Sequence, residues 1–186
     1  MHVNDAIRQR RSIRLFQDTP VPKEILLEMA DLARLYPSAG NMQPLRYAVV
    51  TQEPIRSRIF DCLYWAKYLP DYQIPEDGRP QAYIVILGNR ERCDFDAGAA
   101  AMGLLLSAKE AGLEGCCLGI GEKAAVRQTL GLNDTLYPIC AIALGYGAQK
   151  SVEAPYEDSF RYYRDEAGNF HVPKRSLEEV LIYSDL

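Results

Sequence analysis

The sequence predicts a mixed αβ protein, and three observations predict it. Short runs rich in β-branched and aliphatic residues, such as LRYAVVT, AYIVILG and YPICAIALGYG, read as strands. Amphipathic or small-residue segments, such as KEILLEMADLARLY and DFDAGAAAMGLLLSAKEAG, separate them and read as helices. The first strand is followed by TQEPIRSRIF and not by a glycine-rich phosphate loop, so the alternation lacks the mark of a doubly wound dinucleotide fold. Pattern alone leaves the strand topology open. The 186 residues, 48% hydrophobic and 25% charged, suit one soluble domain over 1–186.

The elements follow in order. Asn4 or Asp5 can cap a short helix running to about Arg10. SIRLF alternates and suits an extended chain. Pro22 fits the first turn of the next helix, whose apolar stripe is Ile25, Leu26, Met29, Leu32 and Ala33. Tyr36-Pro37 ends it, because a residue before proline avoids helical geometry. PSAGNMQP is a loop of turn formers, LRYAVVT a strand, and Pro54 to about Trp65 a second amphipathic helix. Residues 66–81 carry three prolines and read as a long variable loop. AYIVILG is a buried strand. The helix that begins at Asp94 has little polar surface, which predicts close packing against another helix or a second subunit. EGCCLGI is a strand, EKAAVRQTLGL a helix and YPICAIALGYG a strand. Residues 151–173 form a tyrosine-rich excursion with a turn at Gly168-Asn169, and KRSLEEVLIY closes the chain as a short helix.

A net charge of −4 disfavours broad nucleic-acid binding. The five cysteines show no CxxC spacing, and Cys116 and Cys117 lie in an apolar run, as reduced structural thiols of a cytoplasmic protein would. With two histidines, both near the ends, a histidine-based metal site is not expected. The N-terminus lacks an apolar signal core, and no apolar run is long enough to span a bilayer.

Against this acidic background, RQRRSIRLF packs four arginines and a serine into one short stretch. It is either a solvated basic corner or an anion site. Guanidinium forks match phosphate oxygens in pairs, and a serine hydroxyl adds a neutral donor. Ser38, Asn41 and Gln43 bring hydroxyl and amide groups into the tight PSAGNMQP loop; they suit an ordinary turn or the edge of a planar heterocycle. GCCLGIGEK offers Gly119 and Gly121, where backbone N–H groups can approach a ligand or simply turn the chain. Lys174 and Arg175 precede the last helix as a basic pair.

Together and in this order, RRSIRLF, PSAGNMQP, GLLLSAKEAGLEGCCLGIGE and KRSLEEVL resemble the FMN-dependent nitroreductase family over nearly the whole chain. The resemblance implies an α+β, three-layer fold: a central, mostly antiparallel sheet flanked by helices, in an intertwined homodimer with FMN at the subunit interface. It implies that Arg10, Arg11, Ser12 and Arg14 hold the phosphate, ribityl chain and pyrimidine side of FMN. Pro37, Ser38, Ala39, Asn41 and Gln43 would reach the flavin from the partner. Gly119 and Ile120 would lie near the isoalloxazine, with a backbone N–H facing N5, and Lys174 and Arg175 would complete the phosphate clamp. The implied activity is a ping-pong NAD(P)H oxidoreductase acting on nitroaromatics, quinones or similar flat acceptors, with NADH or NADPH as donor. A reductive dehalogenase, a flavin-fragmenting enzyme or a non-catalytic flavin-binding module would share the scaffold. The chain departs from longer members where they carry an asparagine-and-lysine segment: here DCLYWAKYLPDY offers Lys67, with Trp65, Tyr68 and Tyr72 as candidates for stacking over a pocket or for plain packing.

Overall fold

The computed structural model describes residues 1–89 and 93–185. Its centre is a sheet of β1 (Leu45–Val50), β2 (Ala82–Gly88), β3 (Glu114–Gly119) and β4 (Tyr137–Gly145), in the order β1-β2-β4-β3 with every pairing antiparallel. All of β2 is buried, because helices cover both of its faces. Ile84, Ile86, Ile142 and Leu144 face α2 (Lys23–Ala33) and α4 (Asp94–Glu110). Tyr83, Val85, Leu118 and Ala143 face the other way, towards α3 (Ile55–Asp61) and α5 (Lys123–Thr129). The three layers and antiparallel sheet agree with the implied fold class.

Several local expectations shift. In α1 (Val3–Gln9), Asn4 and Asp5 lie inside the first turn, and the cap is the His2 carbonyl, which accepts from the backbone N–H groups of Asp5 and Ala6. In α2, Leu26, Met29 and Ala33 are buried, but Leu32 sits on the exposed flank of the stripe. Helix α3 stops at Asp61, well before Trp65. Leu63 bridges Ile120 and the Tyr64 N–H donates to the Gly119 carbonyl at 3.0 Å, so pairing with a distant segment ends the helix. Cys116 is buried whereas Cys117 is exposed, because consecutive strand residues face opposite sides.

The tyrosine-rich excursion is itself structured. β5 (Ser151–Pro155), β6 (Tyr163–Arg164) and β7 (Phe170–Lys174) form a second sheet in the order β5-β7-β6, the first pairing parallel and the second antiparallel. Gly168 supplies the left-handed residue of its turn at φ 81°. The Asp165 carboxylate clamps that turn by accepting from His171 and from the backbone and side chain of Asn169, and the His171 bond foremost holds its carboxyl well below the usual range. The 66–81 loop packs on this sheet: Tyr68 meets Tyr162 edge-on at 5.1 Å, and Tyr72 meets Phe170 at 5.3 Å. The chain closes with α6 (Leu177–Val180), begun by a capping box between Ser176 and Glu179.

Gly103, inside α4, lies under the ring of Tyr36; a Cβ there would fall 1.9 Å from the tyrosine Cζ. An alanine would gain about 1 kcal/mol of helix propensity. Displacing a packed ring costs about 1–3 kcal/mol, and Pro37 beside it limits how the ring can swing away. Gly103→Ala is therefore expected to lower the urea unfolding midpoint; a raised midpoint would show that Tyr36 moves aside without cost.

Candidate functional site

The arginine segment is positioned by the edge of β3. Helix α1 ends at Gln9, and the chain turns extended at Arg10 (φ −60°, ψ 129°). Ser12 then bridges Gly115 in the parallel sense, and the Ile13 N–H donates to the Gly115 carbonyl at 3.1 Å. A residue the motif reading missed fixes the next step. The Gln149 carboxamide oxygen accepts from the backbone N–H groups of Arg14 (3.0 Å) and Leu15 (3.1 Å). In sequence its only signal is a lone amide just past the β4 strand.

The arginines are held individually. Arg11 donates to the carbonyls of Arg8 (2.7 Å) and Arg10 (2.8 Å), and pairs with Glu153 at 3.4 Å. Arg14 lies over the rings of Tyr162 (4.9 Å) and Phe170 (5.9 Å). Burial pushes the Cys116 thiol up, while the charge of Arg14, the Ser12 hydroxyl and the charge of Arg10 pull it down. Around Arg14, its own Nε, the Gln149 Nε2 and the Ser151 Oγ are buried with no hydrogen-bond partner among the described residues. Ser151 belongs to this group because it pairs with Phe170, the ring beneath Arg14. Burying such groups unpaired costs about 1–3 kcal/mol each, so these atoms call for a polar partner, either water or a ligand.

Lys174 and Arg175 lie at the end of β7. With Glu153, Tyr156 and Glu179 they line an open cleft of about 490 Å³. Arg175 stacks on Tyr156 at 4.5 Å and pairs with Glu179 at 3.4 Å. Glu153 touches Arg11 and also borders this cleft, so the structure brings the N-terminal and C-terminal basic groups together across one carboxylate. Another cleft, of about 510 Å³, lies elsewhere and mixes charges of both signs, among them Glu53, Arg56, Asp77 and Arg79.

Gly119 and Ile120 close β3. Ile120 is buried against Leu63, while Gly119 is exposed, and the Tyr64 ring lies against Gly119 and Gly121. Trp65 is a packing residue: it stacks on Phe60 at 4.8 Å and donates its indole N–H to the Phe60 carbonyl.

The loop after α2 is tied to the far end of the molecule. The Ser38 hydroxyl accepts from the Gln43 N–H at 2.9 Å, and the Ala39 N–H donates to the buried Asp96 carboxylate at 3.0 Å. Asn41 and Gln43 hold positive φ angles of 54° and 48°, strained for a glutamine. Pro37, Ala39, Asn41 and Gln43 are exposed. Asp96 opens α4, whereas Glu110, which closes it, pairs with the Met1 amino group at 2.8 Å. At 1.5 Å per residue these carboxylates stand about 21 Å apart along the helix. The 37–43 loop is thus held at the Asp96 end of α4, whereas Ser12 of the arginine segment pairs with Gly115, just past the Glu110 end.

Among the described residues, no cluster of three or more potential ligand side chains could hold a metal, and no helix is long and apolar enough to cross a membrane.

Comparison with known proteins gives one consistent result. The model of the nitroreductase family matches residues 7–71 and 81–146. An Archaeoglobus fulgidus protein, provisionally named NADH dehydrogenase/NAD(P)H nitroreductase, is 26% identical over 170 residues, covering 86% of this chain and 92% of the relative. The crystal structure of a Bacteroides thetaiotaomicron protein, provisionally given the same name, superposes with a TM-score of 0.68 at 26% identity, over 89% of this chain and 94% of that one. An FMN- and NADPH-dependent nitroreductase from Sphigopyxis sp. strain HMH shares the fold, with a TM-score of 0.71 at 20% identity over the full length of both chains.

Replacing Gln149 tests the lock on the arginine segment. Gln149→Leu strands two backbone N–H groups and should cost about 1–3 kcal/mol in urea unfolding, whereas Gln149→Glu keeps the acceptor and should cost less. Equal stability of Gln149→Leu and wild type would show that solvent satisfies both donors.

Proposed function

The chain belongs to the nitroreductase family, and from that membership we propose that it is an FMN-dependent NAD(P)H oxidoreductase acting on nitroaromatics, quinones or similar flat acceptors. The observation that carries the reading is the polar cluster at Arg14. There Arg14 Nε, Gln149 Nε2 and Ser151 Oγ are buried without partners among the described residues, beside cations contributed by both ends of the chain. This donor set fits a ligand with a phosphate at one end and a polar heterocycle edge at the other.

Arg10, Arg11, Lys174 and Arg175 would hold the phosphate, with Glu153 yielding Arg11 to it. Ser12 would donate to the polar chain next to it. Arg14 would set a fixed positive charge at the pyrimidine edge, held there by Tyr162 and Phe170. Gly119, which has no side chain, and Ile120 would let the ring lie close to the end of β3. Bound FMN would supply hydride chemistry between NAD(P)H and the acceptor. The protein's part is to bind, orient and tune it, and a cytoplasmic setting supplies the donor.

Two chains complete the site in this reading. Pro37, Ser38, Ala39, Asn41 and Gln43 would come from the partner, a role supported by the loop's tie to Asp96 at one end of α4 while Ser12 pairs with Gly115 past the other. Exposed apolar side chains support the pairing: Phe95 is 87% exposed, and Leu35, Met42 and Met102 are exposed as well.

The decisive experiment is a visible spectrum of the purified protein, with the cofactor then released and chromatographed, followed by NADH and NADPH oxidation with and without nitrofurazone or menadione. FMN and acceptor-dependent turnover are expected. FAD as the released species would refute the cofactor, and bound FMN without turnover would leave a binding module.

Arg14→Ala should loosen FMN and lower its reduction potential. Removing about 1–3 kcal/mol of charge stabilisation corresponds to roughly 20–65 mV for a two-electron couple. Arg14→Lys should keep part of the effect. An unchanged potential at full occupancy would remove Arg14 from the ring.

In light scattering the protein is expected to run as a dimer, and Phe95→Asp should give a monomer that has lost most of its FMN. A monomeric wild type retaining FMN would overturn the two-chain site.

A further inference from the structure

The mixed-charge cleft of about 510 Å³ contains none of the residues assigned above to FMN. The Phe16 N–H donates to the Gly78 carbonyl at 2.9 Å, and a Cβ at Gly78 would fall 2.4 Å from the Leu15 Cδ1. This close approach fixes the turn Glu76–Gly78 and brings Glu76, Asp77 and Arg79 to the cleft. Helix α3 contributes Arg56 and Phe60, and β2 contributes Tyr83. The charges are sorted by depth: Arg56 and Arg79 are half-buried, whereas Asp18, Glu76 and Asp77 are exposed at the rim.

These opposite charges share a cleft without pairing. Arg56 is occupied, donating to Glu53 and to the Gln81 carboxamide oxygen, each at 2.9 Å. Arg79 lies over the Phe60 ring at 4.1 Å, and its Nε is buried with no hydrogen-bond partner among the described residues. Among those residues, neither Arg79 nor Asp18, Glu76 or Asp77 makes an ion pair. Tyr83 is 0% exposed, and its hydroxyl also lacks a partner. Such buried polar atoms call for a polar partner.

We propose that this cleft is a second ligand site, for a small amino-carboxylate zwitterion that turns its carboxylate inward and its ammonium to the rim. The carboxylate accepts from Arg79 and from the Tyr83 hydroxyl; a guanidinium stacked on a ring keeps its in-plane donors free for this. The ammonium lies among Asp18, Glu76 and Asp77. A simple anion would be repelled by those acids, and a simple cation would leave Arg79 and Tyr83 unpartnered, so a molecule with both charges is preferred. The proposal does not depend on the FMN reading.

The test is a ligand-observed NMR titration of the purified protein, with whatever flavin it carries, using 6-aminohexanoate, hexanoate and hexylammonium in turn. Saturable binding of 6-aminohexanoate is expected, at least about ten-fold tighter than that of either single-charge probe. Tyr83→Phe keeps the ring and should weaken 6-aminohexanoate about 3–10-fold with no loss of thermal stability. Arg79→Met should weaken it by more than about ten-fold. Glu76→Gln combined with Asp77→Asn should erase the preference over hexanoate. Absence of saturable 6-aminohexanoate binding would overturn the proposal, leaving water as the partner of Arg79 and Tyr83. Hexanoate or hexylammonium binding as tightly as 6-aminohexanoate would overturn it too, as would 6-aminohexanoate affinity untouched by Tyr83→Phe.

Discussion

Much of the site depends on one lateral pairing, that of Ser12 with Gly115 on the edge of β3. It turns a charged segment that could float in solvent into a short fifth rail beside the sheet. Gln149 then accepts from two successive backbone N–H groups and pins the segment at Arg14 and Leu15. Once that backbone is fixed, Arg10 and Arg14 flank the pairing two residues to either side. Glycine at 115 belongs to the same constraint, since a Cβ there would meet Leu105 at 2.9 Å and the Ala143 carbonyl at 3.0 Å.

Crowded arginines repel, and the structure spreads that cost over different partners. Arg11 spends two donors on backbone carbonyls, whereas Arg14 and Arg175 lie on aromatic rings. A guanidinium stacked on a ring keeps its charge and its in-plane donors while its faces lose water. This explains the tyrosines of the excursion. Tyr162 and Phe170 cover Arg14, Tyr156 and Phe160 cover Arg175, and Tyr68 and Tyr72 brace the sheet that carries them. The excursion is the element through which the two ends of the chain reach one place.

The legible parts of the sequence were those whose cause is local. AYIVILG reads as a buried strand because its apolar run is continuous, and β2 is buried throughout. That same continuity suits parallel and antiparallel sheets alike, so topology came only with the family resemblance. The end of α3 was hidden because Leu63–Ile120 pairing is distant in sequence, and Gln149 because its partners lie 135 and 134 residues away. The arginine motif announced itself by charge density. The three short strands of the excursion did not, since two of them are only five residues long and β6 is two.

Glu153 explains how an acidic protein can keep such a cluster ready. Lys174 and Arg175 line one cleft, where Glu179 already pairs with Arg175, and Arg11 reaches that cleft's rim through Glu153. Glu153 supplies a counter-charge, but a loose one: its contact with Arg11 is 3.4 Å long, and its side chain is 63% exposed. Exposed ion pairs of this kind contribute only about 0–1 kcal/mol. A phosphate dianion offers more charge and more acceptor oxygens to the same guanidinium groups, so exchanging the carboxylate for it is favoured once the anion has shed its water. In the proposed reading the weakness of the pair is what makes it suitable: it holds the cluster together and would give way to the phosphate.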